Sequence, residues 1–171
     1  MRSHFHALAR AIIYQQLAGR AAATIHARVC ALTPGRGFCK PAEFLQLPEA
    51  RLRGAGLSRN KLLALCDLAS RLEDGRLRLG RAALLPDEVL LERLVGVRGI
   101  GEWSAQMFLM GRLGRPDVLP ATDLGIREGL RRLDGLRARP TPAQVLARGA
   151  VWSPLRSVAS RALWRLADEP T

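Results

Sequence analysis

The fold of this chain is decided by residues 94–105, which read Leu94-Val95-Gly96-Val97-Arg98-Gly99-Ile100-Gly101-Glu102-Trp103-Ser104-Ala105. Two glycines, Gly99 and Gly101, flank one apolar residue directly ahead of a helical run that begins at Glu102. Because glycine tolerates positive φ and lets another backbone come close, this spacing predicts a tight hairpin between two helices. The N-terminus of the second helix would present unpaired N–H groups, which form a ready site for a phosphate.

Downstream of the hairpin, a loop rich in glycine and proline leads to an aspartate, Asp123. The residues that break the helix before it are Gly111, Gly114, Pro116 and Pro120. Since aspartate is a common N-cap, Asp123 is expected to cap a helix over Leu124–Leu133. Capping is the commoner use of aspartate at such a position. It is compatible with a chemical role, because the helix dipole and backbone N–H groups also favour a charged carboxylate.

The composition points to a polyanionic partner. The chain has 171 residues, enough for one domain or two small lobes with a real core, and carries a formal net charge of +12. The excess is almost all arginine, since Lys40 and Lys61 are the only lysines. An arginine-rich codon bias would also place many arginines on solvated helix faces. Even if many of the arginines reflect codon bias, the net charge stays strongly positive and predicts nucleic-acid binding.

Signals for a metal, a disulfide or a membrane are weak. Three cysteines, an odd number without close ligand spacing, are expected to be reduced and cytosolic: Cys30, Cys39 and Cys66. Three scattered histidines are expected at the surface or its boundary, with no zinc site: His4, His6 and His26. No apolar run approaches the roughly 20 residues of a membrane span, and no signal peptide is recognisable. We therefore expect a cytoplasmic protein, associated with the nucleoid if it is bacterial.

The hydrophobic pattern is helical nearly throughout, without the period-2 alternation of β-branched residues that indicates strands. An apolar stripe from Leu8 runs to about Gln16. Gly19 is expected to interrupt it before a second helix that Thr33-Pro34-Gly35 stops. Prolines or capping residues predict the first turns of the further helices: Pro41, Pro48, Ser58, Pro86, Thr141-Pro142 and Ser153-Pro154. These elements predict an all-α fold.

The order of hairpin, Gly/Pro-rich loop and aspartate resembles the helix-hairpin-helix (HhH-GPD) DNA glycosylase superfamily. Three further stretches extend the resemblance over nearly the whole chain: residues 11–17 (Ala-Ile-Ile-Tyr-Gln-Gln-Leu), residues 56–61 (Gly-Leu-Ser-Arg-Asn-Lys) and residues 152–164, which begin Trp-Ser-Pro-Leu-Arg-Ser-Val-Ala and end Leu-Trp. It implies a two-lobed helical fold with the active site in the inter-lobe cleft. One lobe would comprise residues 1–32 and 115–171, and the other residues 33–114.

Trp103 indicates the branch of the superfamily. Members that also cleave the abasic strand place a lysine nucleophile at this position, two residues after the second glycine. Tryptophan instead resembles the alkylation-repair branch, that of 3-methyladenine DNA glycosylase II. Its electron-rich face suits a cationic alkylated base, through a contact worth up to ~2 kcal/mol. A tryptophan buried in the core is the alternative. The resemblance implies three further pocket residues: Trp164, Met107 and Tyr14. At the position of Met107, relatives can have an aromatic residue.

By the same resemblance, Asp123 is the catalytic residue of a monofunctional DNA glycosylase. A carboxylate beside the glycosidic bond can stabilise an oxocarbenium-like sugar and direct water. Alkylation already makes the base a good leaving group, so no dedicated general acid is needed. The target nucleotide must be flipped out of the duplex, and Gln16 is the expected wedge that fills the gap. The alternative makes Gln15 and Gln16 ordinary polar residues at a helix end.

The resemblance also assigns an anchoring role to the hairpin. The expected phosphate-binding residues are Arg98, Gly99, Gly101 and Glu102, whose contacts would fix register without reading bases. Similar hairpins bind a monovalent cation through main-chain carbonyls, here those of Val95, Val97 and Ile100. No cofactor is otherwise expected, and the four-cysteine motif of an iron–sulfur cluster is missing. The expected partner is double-stranded DNA containing alkylated bases, bound by a monomer.

Two other classes of protein remain open at this point. One is a non-catalytic helix-hairpin-helix module that binds DNA phosphates. The other, weaker, is a helical interaction protein whose charge serves RNA or ribosome binding. The combination of Asp123, Trp103 and Trp164 favours the enzyme, because a simple binder needs none of them.

Overall fold

The structure, a computed structural model, describes residues 3–33, 35 and 37–170. This described part consists of helices joined by turns and loops, without a strand, as the all-α prediction requires. None of its helices combines the length and apolar character needed to cross a bilayer. The α-helices are α1 (His4–Tyr14), α2 (Gly19–Cys30), α3 (Pro41–Leu45), α4 (Glu49–Gly54), α5 (Arg59–Glu73), α6 (Asp87–Val95), α7 (Glu102–Arg112), α8 (Leu124–Leu133), α9 (Pro142–Gly149) and α10 (Arg156–Asp168).

The chain divides into two compact units, Met1–Ala105 and Gln106–Thr171. The boundary falls within α7, the helix that follows the glycine-rich segment. The two lobes inferred from the resemblance, residues 1–32 plus 115–171 and residues 33–114, stay a prediction.

In the first unit, α1 packs against α2 and α5 through the apolar stripe that the sequence predicts. Leu8, Ile12 and Ile13 are at most 1% exposed, and Leu65 and Leu68 of α5 are fully buried. Burying a side chain of this size stabilises the fold by about 1.5–3 kcal/mol. The N-cap predicted for α5 is also present, because the Ser58 hydroxyl accepts a hydrogen bond from the Lys61 N–H at 3.3 Å.

In the second unit, α8 lies directly on α10. Its core comprises Leu119, Ala121, Ile126, Leu130, Val145 and Leu163. The two helices can approach closely because α8 carries Gly129 at their contact: a Cβ there would fall on the Leu163 carbonyl. The packing of this unit therefore depends on a missing side chain.

Some predicted boundaries and one predicted start differ from the structure. α1 ends at Tyr14, two residues earlier than expected, and Gly19 begins α2 instead of interrupting a helix. α2 ends at Cys30, before Thr33-Pro34-Gly35, of which Pro34 lies outside the described residues. Pro48 is the N-cap of α4 and so lies just before the first turn that it was expected to occupy.

The prediction that Ser153-Pro154 opens the last helix is wrong. A short 3-10 turn, Ala150–Trp152, ends there, and α10 begins only at Arg156. The Ser153 hydroxyl donates to Asp117 Oδ2 at 2.8 Å, so it is engaged with a distant loop and does not cap α10. The Ser153 hydroxyl thus bonds a carboxylate 36 residues away in sequence and not the first amides of α10.

The expectation of surface or boundary histidines fails for His6, which is only 8% exposed. Its ring stacks on those of His26 and Phe38, with centroids 5.1 and 5.2 Å away. The Nε2 atoms of His6 and His26 lie 2.9 Å apart, within hydrogen-bond distance. Two histidines 20 residues apart in sequence therefore form one aromatic cluster.

We predict that Gly129→Ala destabilises the protein by about 1–3 kcal/mol, because the added methyl group forces α8 away from α10. The matched control is Gly111→Ala in α7, where a Cβ meets nothing within 4 Å. Removing a helical glycine there should stabilise the protein by about 0.5–1 kcal/mol. Urea unfolding followed by circular dichroism measures both, and equal stabilities would contradict the proposed contact.

Candidate active site

Asp123 lies at the end of the Gly/Pro-rich loop and is held by two donors. Its Oδ1 accepts a hydrogen bond from the Ile126 N–H at 2.8 Å, which makes Asp123 the N-cap of α8 as predicted. The same oxygen accepts a second bond from the Trp164 indole N–H, also at 2.8 Å. Backbone and side-chain donors together fix the position and orientation of this carboxylate, which is half-buried.

Gly125 makes the contact between Trp164 and Asp123 possible. A Cβ on Gly125 would lie 2.8 Å from Trp164 Cδ1 and 3.1 Å from Asp123 Oδ1. Any larger residue would therefore push the indole away from the carboxylate. The sequence analysis missed this residue, because a glycine in the first turn of a helix carries no local mark of such a contact.

The loop before Asp123 is tied to α10, the helix that carries Trp164. Arg156 forms a bidentate ion pair with Asp117, with Nε 2.6 Å from Oδ1 and Nη2 2.8 Å from Oδ2. The Ser157 hydroxyl donates to the Arg115 carbonyl at 2.7 Å, and that of Ser160 donates to the Val118 carbonyl at 3.2 Å. These bonds hold the loop on the helix and so bring Asp123 beside Trp164.

The predicted hairpin is present in the first unit. Gly99 has φ +76°, in the left-handed region that glycine favours, and the Ile100 N–H donates to the Val97 carbonyl at 3.1 Å. Val97 and Ile100 are buried beneath the turn. The Arg98 N–H donates to Asp67 Oδ2 on α5 at 2.8 Å, which fixes the tip of the hairpin from outside its own sequence.

Asp67 holds the hairpin as a charged group. Arg71 donates to both of its carboxylate oxygens at 2.9 Å. Burial raises the pKa of Asp67, but the Arg98 N–H and the Arg71 guanidinium more than offset it, so its pKa lies below the usual value. The sequence analysis did not single out Asp67, since its partner Arg98 lies 31 residues away.

The turn after α1 lies against the same hairpin. Gln15 Nε2 donates to the Gly99 carbonyl at 2.9 Å and lies 3.4 Å from the Ser104 hydroxyl. Gln16 is exposed and has φ +54°, which is uncommon for any residue other than glycine. Gln15 thus faces the protein, while Gln16, the expected wedge, is presented to solvent.

The predicted pocket residues stand in different surroundings. Trp103 is 46% exposed in the first turn of α7, so it is not a fully buried core side chain, and Met107 follows one turn later, half-buried. The Arg10 guanidinium lies 4.1 Å from the centre of the Tyr14 ring. The structure brings Trp164 to Asp123 and Gln15 to the hairpin; the roles assigned to all these residues stay predictions.

Comparison with known proteins identifies the family. Residues 9–154 match the sequence model of one protein family, described as HhH-GPD superfamily base excision DNA repair protein. The chain belongs to this superfamily, as the resemblance indicated.

Its relatives include proteins named 3-methyladenine DNA glycosylases. DNA-3-methyladenine glycosylase 1 of Schizosaccharomyces pombe is 35% identical over 94% of this chain and 71% of its own length. The structure of the S. pombe 3-methyladenine DNA glycosylase in complex with abasic DNA superimposes with a TM-score of 0.83 at 34% identity, covering 98% of this chain and 84% of that one. A DNA-3-methyladenine glycosidase from Bacillus halodurans gives 0.90 at 32% identity, covering 98% and 77%.

We predict that Asp117→Asn weakens the protein at neutral pH and flattens its acid unfolding. The Arg156 guanidinium, with help from the Ser153 hydroxyl, holds the pKa of Asp117 well below its usual range. A carboxyl whose pKa falls on folding stabilises the protein above its unfolded pKa, about 3.9. That contribution is lost as the pH falls through the lower, folded value.

Urea midpoints measured from about pH 7 to pH 2 test this prediction. The wild type should lose more stability than Asp117→Asn as the pH falls below about 4. Asp168→Asn, at the exposed end of α10, is the control and should keep the wild-type profile. Parallel profiles for Asp117→Asn and the wild type would contradict the role given to the ion pair.

Proposed function

We propose that this protein is a monofunctional DNA glycosylase that excises alkylated bases of the 3-methyladenine type from double-stranded DNA and so initiates base excision repair. The observation that carries the proposal is the hydrogen bond between the Trp164 indole and Asp123 at the end of the Gly/Pro-rich loop. A fixed negative charge suits catalysis at a sugar that becomes cationic better than it suits contact with the anionic DNA backbone. Membership of a base excision repair superfamily and relatives named for 3-methyladenine excision support the same function.

In this proposal Asp123 acts on the sugar of the flipped nucleotide. As the bond to the base breaks, positive charge develops on the sugar ring, and a carboxylate close to it lowers the energy of that state. The donors Ile126 N–H and Trp164 Nε1 hold the oxygen in place beforehand, so no reorganisation is needed during the reaction. Asp123 also directs the water that attacks the sugar carbon.

The leaving group requires little help. Alkylation on a ring nitrogen makes the base cationic, so it departs as a neutral molecule without a general acid. An indole face stabilises a cation by up to ~2 kcal/mol once water is excluded. Trp103 and Trp164 supply such faces, with Tyr14 and Met107 as the further pocket residues. The choice of a charged base over a normal one then follows from both leaving-group chemistry and binding.

DNA is held largely through its phosphates. The net charge of +12 gives an attraction to duplex DNA that does not depend on sequence. The hairpin residues Arg98, Gly99, Gly101 and Glu102 anchor a phosphate near the lesion, and Gln16 fills the space that the flipped nucleotide leaves.

A monovalent cation at the hairpin also belongs to the proposal. The carbonyls of Val95, Val97 and Ile100 would hold it. The Val97 carbonyl already accepts one bond, from the Ile100 N–H, and a carbonyl oxygen has a second lone pair for a cation. The reaction as proposed needs no other cofactor, and the enzyme acts as a monomer in the cytoplasm, on the nucleoid if the cell is bacterial.

We predict that Asp123→Asn lowers excision at least about 100-fold while binding to undamaged duplex persists. The amide oxygen can still cap α8, but the negative charge that stabilises the sugar cation is gone. Excision is measured on a duplex with one alkylated adenine, cleaved afterwards with hot alkali. Asp168→Asn makes the same change of charge at an exposed position and should keep wild-type excision. Near-normal excision by Asp123→Asn would remove Asp123 from the mechanism.

We predict that borohydride traps no covalent adduct between the wild-type protein and DNA. Strand cleavage requires an amine that forms a Schiff base with the sugar. Position 103 carries an indole, whose nitrogen lone pair belongs to the aromatic system. The two lysines, Lys40 and Lys61, both stand elsewhere in the sequence. The Lys61 ammonium is also engaged with the carbonyls of Ile13 and Gln15.

A strand-cleaving glycosylase, incubated in parallel, is the positive control for trapping. Breaks should appear with the present protein only after alkali. Efficient trapping of the wild type would overturn the monofunctional assignment.

A further inference from the structure

One face of α5 contacts both DNA-binding features of the first unit. Lys61, Ala64 and Asp67 follow one another at intervals of three residues and so share this face. Lys61 contacts the end of α1, Ala64 lies under Gly99, and Asp67 binds the Arg98 N–H. The Gly56–Lys61 stretch, which resembles the superfamily, has no part in the chemistry described above.

Lys61 closes the C-terminal end of α1. Its ammonium donates to the Ile13 carbonyl at 2.6 Å and to the Gln15 carbonyl at 2.9 Å. The last carbonyls of a helix lack intrahelical partners, and a cation there is doubly favourable because the helix dipole is negative at that end. Burial lowers the pKa of Lys61, so the contact is made against a cost of desolvation.

Gln15 carries the connection on to the hairpin. Its carbonyl accepts from Lys61, and its side-chain amide donates to the Gly99 carbonyl. The hydrogen bonds therefore run from α5, through the backbone and side chain of one residue, to the hairpin. Gln15 is thus held through both its backbone and its side chain, directly before Gln16, which adopts a left-handed conformation.

We propose that Lys61 and Gln15 are positioning residues for base extrusion, which set the wedge Gln16 at a fixed distance from the phosphate-binding hairpin. The inference rests on the proposed function. A wedge can enter the duplex beside the lesion only if its distance from the anchored phosphate is right, and a displacement of about 1 Å is costly. The positioning matters while a base is being unstacked, and little once the base is already loose.

The first test compares Lys61→Met with Lys40→Met. The chain has only these two lysines, so each variant removes one positive charge and weakens general binding to DNA alike. Each variant is given a duplex with the alkylated base correctly paired and one with the same base opposite an abasic site, where extrusion costs less. Excision rates are measured at saturating protein.

Lys61→Met should lose about tenfold in rate on the paired lesion and less than about threefold on the unpaired one. Lys40→Met should match the wild type on both. Equal losses on the two substrates would mean that Lys61 serves general stability, and no loss on either would mean that it does not position the wedge. Each of these results overturns the inference.

Gln15→Leu provides a second variant in case Lys61→Met does not fold, which thermal unfolding shows. It removes the bond to Gly99 from a partly exposed position and should show the same selective loss on the paired lesion. The double variant should lose little more than either single one, because both residues belong to one chain of bonds. Multiplying losses, or an unaffected Gln15→Leu, would contradict that chain.

Hydrogen exchange of the free protein separates this inference from the proposed function. The amides of residues 15–17 should exchange faster in Lys61→Met than in the wild type or Lys40→Met. If the wild type excises no alkylated base, the function is wrong, while the exchange result still decides whether Lys61 orders the turn. Unchanged exchange would overturn the positioning role even in an active enzyme.

Discussion

The hydrogen bond from the Trp164 indole to the Asp123 carboxylate is the contact on which the proposed chemistry of the second unit depends. It joins α8 to α10 at the point where the loop enters α8. Three features make it possible: the missing side chain of Gly125, the close approach of the helices at Gly129, and the bonds that tie the loop to α10. The carboxylate is therefore positioned by the packing of a whole unit, and its capping of α8 is only one part of that.

In the first unit, too, groups outside the helices are held in place by bonds from a distant helix. Its hairpin is shaped locally by Gly99 but held from α5, through Asp67 and through the contact with Ala64. The turn that presents Gln16 is held from the same helix by Lys61. In the proposed enzyme this unit contributes anchoring and extrusion, while the second contributes the catalytic carboxylate. Both sets of groups lie in loops or turns that neighbouring helices hold in place, as a reaction sensitive to small displacements requires.

Two features of the sequence bear on the proposed chemistry. An indole stands where strand-cleaving relatives have an amine, so the attacking group in the proposed reaction is water. Nearly all of the basic residues are arginines, and the planar guanidinium group donates two parallel hydrogen bonds that suit a phosphate. In the proposed enzyme, the indole limits the reaction to base removal, and the arginines supply affinity for the DNA backbone without a preference for sequence.

The sequence by itself determined the features that depend on neighbours within one turn. The hairpin at Gly99, the N-caps Ser58, Asp123 and Thr141, and the all-α fold were predicted because caps and glycine turns are local interactions. Tertiary structure alone decided the rest. Ser153 bonds Asp117 and does not cap α10, and Lys61 reaches carbonyls 46 and 48 residues away. Such partners are chosen by helix packing, which brings together residues that no periodicity in the chain relates.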